Sequence, residues 1–165
     1  MLAYGQGMEH LNNGFSDLPE AQVADVSQSV SPEHLKVIVV EDGKMMQRLI
    51  VRALASLGFT QVLVANDGVE GLATATRERP DIIISDYHMP GMHGLEMVEA
   101  LRRNSALDHA IIIMLSSADD QQVIEEARDL GADTFMVKPF ASDDLKRLIE
   151  TLYVRFNCAR IQWPA

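Results

Sequence analysis

The segment IIISDYHMPG, which runs from Ile82 to Gly91, carries the clearest structural signal in this chain. It begins with a β-branched apolar run, which predicts a buried strand, and then passes directly into an acid and a Pro/Gly turn. The turn places the carboxylate of Asp86 at the carboxyl end of the strand. Because ligands bind at that end of the strands in open α/β sheets, Asp86 is a candidate site residue.

Two similar apolar runs precede this strand and two follow it. Segments with apolar residues at helical spacing alternate with these runs. Most of the runs are continuously apolar, as expected of parallel strands that are covered by helices on both faces. The sequence therefore predicts an α/β fold, a doubly wound parallel sheet of five strands with five helices. Periodicity alone leaves the strand order open. The predicted strands are Lys36–Val40, Val62–Ala65, Asp81–Ser85, Ala110–Leu115 and Thr134–Val137.

Capping residues and stop signals set the expected limits of the helices. The first helix is predicted to end at Gly58, and the second to begin after a cap at Asn66 or Asp67. Asp119 and Ser142 are the expected caps of the fourth and fifth helices.

Composition limits the class of protein. With 165 residues and 47% apolar content, the chain suits one globular domain. A formal charge of -10, from 14 basic and 24 acidic residues, argues against direct nucleic-acid binding. The apolar runs are shorter than a membrane span and the amino terminus lacks the features of a signal peptide, so we expect a cytoplasmic protein without membrane insertion. Cys158 is the single cysteine, which excludes an intramolecular disulfide.

The chain divides into three parts by composition. Residues 1–34 contain acids but no Lys or Arg, and we expect them to form a mostly disordered, flexible acidic extension. Residues 35–156 form the predicted globular domain. The tail, residues 157–165, either frays or docks an aromatic side chain such as that of Trp163. The alternative for the extension is a docking segment near a helix cap, built on Leu18, Val23 and Val26.

Polar residues stand at the carboxyl ends of four of the predicted strands. Since parallel strands end together at one edge of a sheet, these residues should converge there. Crowded carboxylates raise one another's pKa and need cationic compensation, which Mg²⁺ and a Lys ammonium can supply. A hydroxyl adds a donor for a phosphoryl oxygen, so the set is suited to placing an anion beside Asp86. The converging residues are Glu41, Asp42, Asp86, Ser116 and Lys138.

With these motifs the chain resembles the receiver domain of two-component response regulators, including the stand-alone chemotaxis regulators. The resemblance covers about residues 35–155, and the separations between the motifs also agree with the family's ungapped register. It implies a flavodoxin-like sheet with the strand order 2-1-3-4-5. The motifs that carry it are Glu41-Asp42, Asp86 with the loop Met89–Gly94, Ser116, and Lys138-Pro139-Phe140.

The resemblance also implies the chemistry of Asp86. This residue would be the nucleophile that accepts a phosphoryl group from a phosphohistidine, forming an acyl phosphate. The donor would be a sensor histidine kinase or a histidine phosphotransfer protein. Glu41, Asp42 and Asp86 would hold Mg²⁺, with the backbone carbonyl of His88 as a further ligand.

A set of phosphate-binding and switch residues is implied as well. Lys138 and Ser116 would bind the phosphoryl oxygens, and the Lys138–Pro139 peptide would be cis. On phosphorylation, Ser116 would move toward the phosphate and Phe135 would turn inward. This two-state shift would change the face made by the fourth helix, the fifth strand and the fifth helix, where a downstream protein target binds.

The chain departs from the commonest family pattern at several positions. Glu41 stands in place of the more usual Asp, His93 in place of a frequent loop Asp, and Phe135 in place of a frequent Tyr. His88 and Ala118 occupy positions that tune dephosphorylation in the family. We therefore expect His88 to influence the lifetime of the acyl phosphate.

Four functions stand as hypotheses. The first is a stand-alone response regulator that catalyses only its own phosphorylation and dephosphorylation, since the segment after residue 156 is too short for an output domain. The second is a phosphate-shuttling intermediate that passes its phosphoryl group to another histidine protein. The third, an aspartyl-phosphate phosphatase of metabolites, is weakened because His88 stands where such hydrolases have a second Asp. The fourth is a fragment of a larger regulator.

Overall fold

The computed structural model describes residues 28–117 and 121–165. The strands are β1 (Gln28–Val30), β2 (Lys36–Val40), β3 (Gln61–Ala65), β4 (Ile82–Asp86), β5 (Ile111–Ser116), β6 (Thr134–Val137) and β7 (Ala159–Ile161). The helices are α1 (Lys44–Ser56), α2 (Gly68–Glu78), α3 (Gly94–Arg102), α4 (Gln121–Asp129) and α5 (Ser142–Asn157). Two single-turn 3-10 helices lie at Pro32–His34 and Ser105–Leu107.

The strands β2 to β6 form one sheet in the order β3-β2-β4-β5-β6, and every pairing in it is parallel. Counted within this sheet, the order is 2-1-3-4-5, which confirms the fold class and the order that the family resemblance implied. The central strand β4 pairs with β2 on one side and β5 on the other, so that Ile84 lies between Val39 and Ile113.

Helices cover both faces of the sheet. Successive side chains of a strand point to opposite faces, so β2 sends Val37 and Val39 into one hydrophobic cluster and Ile38 and Val40 into the other. The first cluster is completed by α1 and α5, and the second by α2, α3 and the alanine Ala127 of α4. All five residues of β4 are buried, which explains its unbroken apolar run.

The helix limits agree with the sequence signals at two ends and differ at a third. The Asp67 side chain caps α2 by accepting a hydrogen bond from Glu70 N at 2.8 Å, and Gly58 follows α1 with a φ of 93°. The prediction of a Ser142 cap was wrong. Ser142 is the first helical residue, and the preceding Ala141 N donates to the Asp144 carboxylate at 3.0 Å. The predicted cap Asp119 lies outside the described residues.

The two ends of the described chain meet in a second sheet that the sequence did not indicate. β1 and β7 pair in parallel, with Gln28 beside Ala159 and Val30 beside Ile161. The described part of the predicted acidic extension, residues 28–34, is therefore structured as a strand and a 3-10 helix. The proposed docking segment with Leu18, Val23 and Val26 lies outside the described residues.

The carboxyl-terminal tail docks on the domain. Ile161 is buried, and the Trp163 ring meets the Phe59 ring edge-on, with 6.1 Å between the ring centroids. Lys146 Nζ lies 5.1 Å from the centroid of the Trp163 ring. Of the two outcomes expected for the tail, the structure therefore shows docking. Within the part of the chain that the structure describes, no helix has the length and apolar character needed to span a membrane.

Replacing Ile161 by Ala should lower the free energy of unfolding by about 2 kcal/mol, since it removes buried methylenes and leaves a cavity beside the core. Urea unfolding followed by circular dichroism measures the loss. The neighbouring variant Gln162→Ala, at an exposed side chain, is the control and should change stability little. Equal stability of the two variants would show that the tail does not pack in solution.

Candidate functional site at the carboxyl edge of the sheet

The strand ends bring the predicted residues together. Glu41 directly follows β2, Asp86 and Ser116 are the last residues of β4 and β5, and Lys138 directly follows β6. Backbone hydrogen bonds extend the pairing beyond the strands and hold these positions, with 3.1 Å from Glu41 N to Ala65 O and 2.8 Å from Lys138 N to Ser116 O. The predicted convergence on one edge is therefore what the structure shows.

Three carboxylates form the acidic part of the site. Glu41, Asp42 and Asp86 each offer an oxygen, and these oxygens all lie within 4.8 Å of one another. Glu41 and Asp86 are buried, whereas Asp42 is exposed. Burial raises the pKa of Glu41, and the negative charges of Asp86 and Asp42 add to that rise, while the Gly43 N–H and Lys138 oppose it. The site therefore disfavours negative charge until a cation enters it.

The Lys138 ammonium lies against the central carboxylate. Its Nζ is 3.0 Å from Asp86 Oδ1, and the two side chains are 23% and 6% exposed, respectively. The Lys138–Pro139 peptide is cis, as the resemblance implied. Among the three acids, Asp86 is thus the one whose carboxylate contacts the Lys138 ammonium.

Two buried oxygens of the site have no hydrogen-bond partner among the described residues, Glu41 Oε2 and Ser116 Oγ. A buried polar atom without a partner is costly, so such atoms point to a ligand that satisfies them. Carboxylate oxygens are the ligands of hard divalent cations, and a hydroxyl can donate to an anion. The residues present therefore fit a divalent cation next to an anionic group.

The loop after β4 folds tightly back over the strand end. Gly94 N donates to Tyr87 O at 3.2 Å, and a Cβ at position 94 would lie 2.6 Å from Asp86 O. Only glycine therefore fits at this close approach. His88 and His93 are exposed in this loop, and the His88 ring meets the Tyr87 ring edge-on at 4.5 Å. The role of the His88 carbonyl as a metal ligand stays a prediction.

The predicted switch residues sit on neighbouring strands. Ser116 is fully buried on β5, and Phe135 on β6 is half-buried beside the cluster formed with α2 and α3. In the parallel register Met114 pairs with Phe135. Their proposed movement stays a prediction.

One supporting residue was missed by the sequence reasoning. The buried Gln47 of α1 donates through Nε2 to Glu41 O at 3.1 Å, to Ala65 O at 3.3 Å and to Asn66 Oδ1 at 3.4 Å. The amide thus ties the acidic segment after β2 to the end of β3. Lys44 Nζ also donates to Asn66 Oδ1. A signal was available, because Gln47 precedes Ile50 and Leu54 on the buried side of α1 at helical spacing.

Replacing Gln47 by Ala should lower the free energy of unfolding by about 1–3 kcal/mol, because Glu41 O loses the amide donor and Ala65 O keeps only the Glu41 N–H. Chemical unfolding gives the value, and the exposed neighbour of the same helix, Arg48→Ala, is the matched control. If both variants unfold at the same denaturant concentration, the Gln47 amide does not stabilise this edge.

A family model described as response regulator receiver domain matches residues 37–150. The chain belongs to the response regulator receiver domain family. This confirms the resemblance, and receiver domains are components of two-component signalling.

Relatives of the same family are nearly as long as the matched region. The receiver domain described here is 33% identical to the chemotaxis protein CheY of Pseudomonas aeruginosa over 123 residues, which is 74% of this chain and 99% of the relative. It is 34% identical to a probable chemotaxis protein CheY of Rhizobium etli over 121 residues, 73% of this chain and 94% of the relative.

Solved structures show the same fold. The chemotaxis response regulator CheY4 of Vibrio cholerae aligns with a TM-score of 0.67 and 34% identity, covering 72% of this chain and 98% of that one. The receiver domain of a Pseudomonas aeruginosa sensor histidine kinase aligns with a TM-score of 0.66 and 26% identity, covering 76% of this chain and 98% of that one. That structure has a magnesium ion coordinated in its active-site cleft.

Proposed function

We propose that this protein is a phosphorelay response regulator that accepts a phosphoryl group on Asp86 and signals by phosphorylation-dependent binding to a protein target. One observation carries the proposal: Lys138 Nζ lies 3.0 Å from Asp86 Oδ1, in a site where the carboxylates of Glu41 and Asp42 also converge. The phosphodonor is a sensor histidine kinase or a histidine phosphotransfer protein, and the protein acts in the cytoplasm. Its chemistry is limited to its own phosphorylation and dephosphorylation.

In the reaction, Asp86 is the nucleophile. A carboxylate oxygen attacks the phosphorus of the phosphohistidine, the P–N bond breaks, and its electron pair stays with the leaving imidazole, which is protonated. Glu41, Asp42 and Asp86 are suited to hold Mg²⁺, and the backbone carbonyl of His88 would be the further ligand. When bound there, Mg²⁺ supplies charge neutralisation for the carboxylates and the phosphoryl oxygens.

Lys138 and Ser116 orient the phosphoryl group. The Lys138 ammonium already contacts Asp86, so it needs little movement to bind an oxygen of a phosphoryl group attached there. The Ser116 hydroxyl is buried and has no partner among the described residues, so it is available to donate to another phosphoryl oxygen. Positioning by these two groups lowers the barrier because their charges and dipoles are fixed before the reaction.

The hydrogen bond from the Ser116 hydroxyl to the phosphoryl group also starts the conformational change that signals phosphorylation. Movement of Ser116 toward the phosphate vacates space at the end of β5, and Phe135 of the neighbouring strand turns inward. The face formed by α4, β6 and α5 then differs between the two states. A downstream target that prefers the phosphorylated face shifts the population toward it.

The surface next to the site supports docking of a protein donor. Met45 and Leu49 lie one turn apart on α1 and are 79% and 55% exposed. Because α1 begins directly after Asp42 and Gly43, this apolar pair lies in the first two turns of the helix that follows the acidic segment of the site. An amphipathic helix that carries the phosphohistidine fits such a surface.

Replacing Asp86 by Asn should abolish phosphoryl transfer, because the amide is not nucleophilic. Labelling by a small phosphodonor with Mg²⁺, measured by intact-protein mass, should show one added phosphoryl group in the parent protein and none in the variant. Glu96→Gln, at an exposed carboxylate of α3, is the control that should label normally. Undiminished labelling of Asp86→Asn would overturn the assignment, and continuous multiple turnover of the donor would support a phosphatase instead.

Replacing His88 by Asn should shorten the lifetime of the acyl phosphate. The exposed imidazole stands two residues after Asp86, and a smaller amide leaves more room for the attacking water. A change of up to about tenfold corresponds to about 1.4 kcal/mol in the barrier. Phosphate release after removal of the donor gives the rate. His93→Asn, in the same loop, should decay at the parental rate, and parental decay of His88→Asn would refute the role.

A further inference from the structure

The segment 41–43, which carries the first two acids of the site, lies between β2 and α1 and belongs to neither element. The Asp42 side chain is exposed, and it makes no hydrogen bond to any residue that the structure describes. The position of its carboxylate therefore depends on how the backbone on either side of Asp42 is held.

Among the described residues, four hydrogen bonds hold that segment, and Gln47 supplies two of them. Glu41 N donates to Ala65 O at 3.1 Å, and Gly43 N donates to the Glu41 carboxylate at 2.9 Å. Gln47 donates to Gly43 O through its backbone N at 2.9 Å and to Glu41 O through its side-chain Nε2 at 3.1 Å. Both ends of the segment are thus bonded to one residue of α1.

The Gln47 side chain is in turn fixed by the end of β3. It is 7% exposed, and its Nε2 also donates to Ala65 O at 3.3 Å and to Asn66 Oδ1 at 3.4 Å. Asn66 is itself held, since its backbone N and its Nδ2 each donate to Glu70 Oε2 at 2.8 Å. A buried polar network of this kind is rigid when its members are bonded, so the amide connects the ends of β2 and β3 in one geometry.

The divalent cations that bind carboxylate oxygens differ in how strictly their ligands must be placed. Mg²⁺ requires near-ideal octahedral ligands at about 2.0–2.1 Å, whereas Ca²⁺ accepts irregular arrangements at about 2.3–2.6 Å. Residues that orient a metal ligand without touching the metal typically change the metal affinity by about 10–100-fold when they are replaced. A group that fixes the backbone of two ligands should therefore matter more for Mg²⁺ than for Ca²⁺.

We propose that Gln47 is a positioning residue of the cation site. Its amide holds Glu41 O and thereby the segment 41–43. The carboxylates of Glu41 and Asp42 then converge with that of Asp86. Gln47 acts through the backbone of Glu41, not by contact with the cation, and it favours Mg²⁺ over Ca²⁺ because it restricts the placement of two of the three acids. The inference rests on the proposed Mg²⁺-dependent function and adds a residue that sets the cation preference of the same site.

Replacing Gln47 by Met tests this role, because Met keeps the length of the side chain and the net charge of the protein but removes the donor. Mg²⁺ and Ca²⁺ are titrated separately into the full ¹⁵N-labelled chain, and the shift of the Asp86 amide signal gives each dissociation constant. The constant for Mg²⁺ should rise about tenfold, whereas that for Ca²⁺ should rise less than about threefold. A Mg²⁺ constant within about twofold of the parental value, or an equal loss for both cations, would overturn the proposal.

A remote variant separates loss of stability from loss of positioning. Ile161→Ala should lower the free energy of unfolding by a similar amount, but Ile161 lies in β7, at the edge remote from Asp86. Both dissociation constants should therefore stay at their parental values in this variant. If Ile161→Ala weakened Mg²⁺ binding as much as Gln47→Met does, reduced stability would explain both results and the positioning role would be wrong.

A measurement on the parent chain keeps the proposal testable if Gln47→Met does not fold. In the Mg²⁺-loaded protein, the side-chain NH₂ protons of Gln47 should exchange with solvent more than about tenfold more slowly than those of the exposed Gln162, because they are hydrogen-bonded and buried. Equal exchange rates would show that the amide does not hold Glu41 O while the cation is bound, and would overturn the proposal.

Failure of this inference is distinguishable from failure of the proposed function. If the parent protein binds Mg²⁺ and gains a phosphoryl group on Asp86, but Gln47→Met keeps the parental preference for Mg²⁺, only the positioning role is wrong. If Gln47→Met shows the expected change in preference while the parent protein gains no phosphoryl group, the proposed phosphoryl transfer is wrong and the positioning role is retained. A parent protein that binds no Mg²⁺ would contradict both.

Discussion

The covering of a parallel sheet on both faces is the constraint on which this structure depends. Because the central strands are buried above and below, their side chains are almost all apolar, and polar groups are confined to the strand ends. Parallel strands end together, so charges from distant parts of the sequence meet at one edge. The crowding of Glu41, Asp42 and Asp86 and the contact with Lys138 follow from this arrangement.

The site balances repulsion among acids against the charge of a single lysine. Burial raises the pKa of Glu41, and the Gly43 N–H and Lys138 offset only part of that effect. A site of this kind gains from a divalent cation, because two positive charges relieve a cluster that one ammonium cannot neutralise. The unpaired atoms Glu41 Oε2 and Ser116 Oγ lie where a cation and an anion would complete the hydrogen bonding and coordination.

The sequence predicted the layers of the fold and the converging residues because both leave strong local signals. An apolar run that stops at Asp86 identifies a buried strand and its functional end, whereas the strand order required the family resemblance. The helical spacing of Gln47 with Ile50 and Leu54 indicates its burial, but its partners Glu41 O and Ala65 O depend on where α1 meets the ends of β2 and β3, which no local pattern records. β1 was missed because its three residues, two of them exposed, show no periodicity. The Ser142 cap was wrong because the Asp144 carboxylate provides the first-turn hydrogen bond instead.

The pairing of β1 with β7 brings the amino and carboxyl ends of the described domain side by side, at the edge remote from Asp86. A protein that approaches the reacting carboxylate meets the opposite edge of the sheet and leaves the β1–β7 pairing untouched. A circular permutant that joins the two ends by a short linker and opens the chain in a surface loop should therefore keep its architecture.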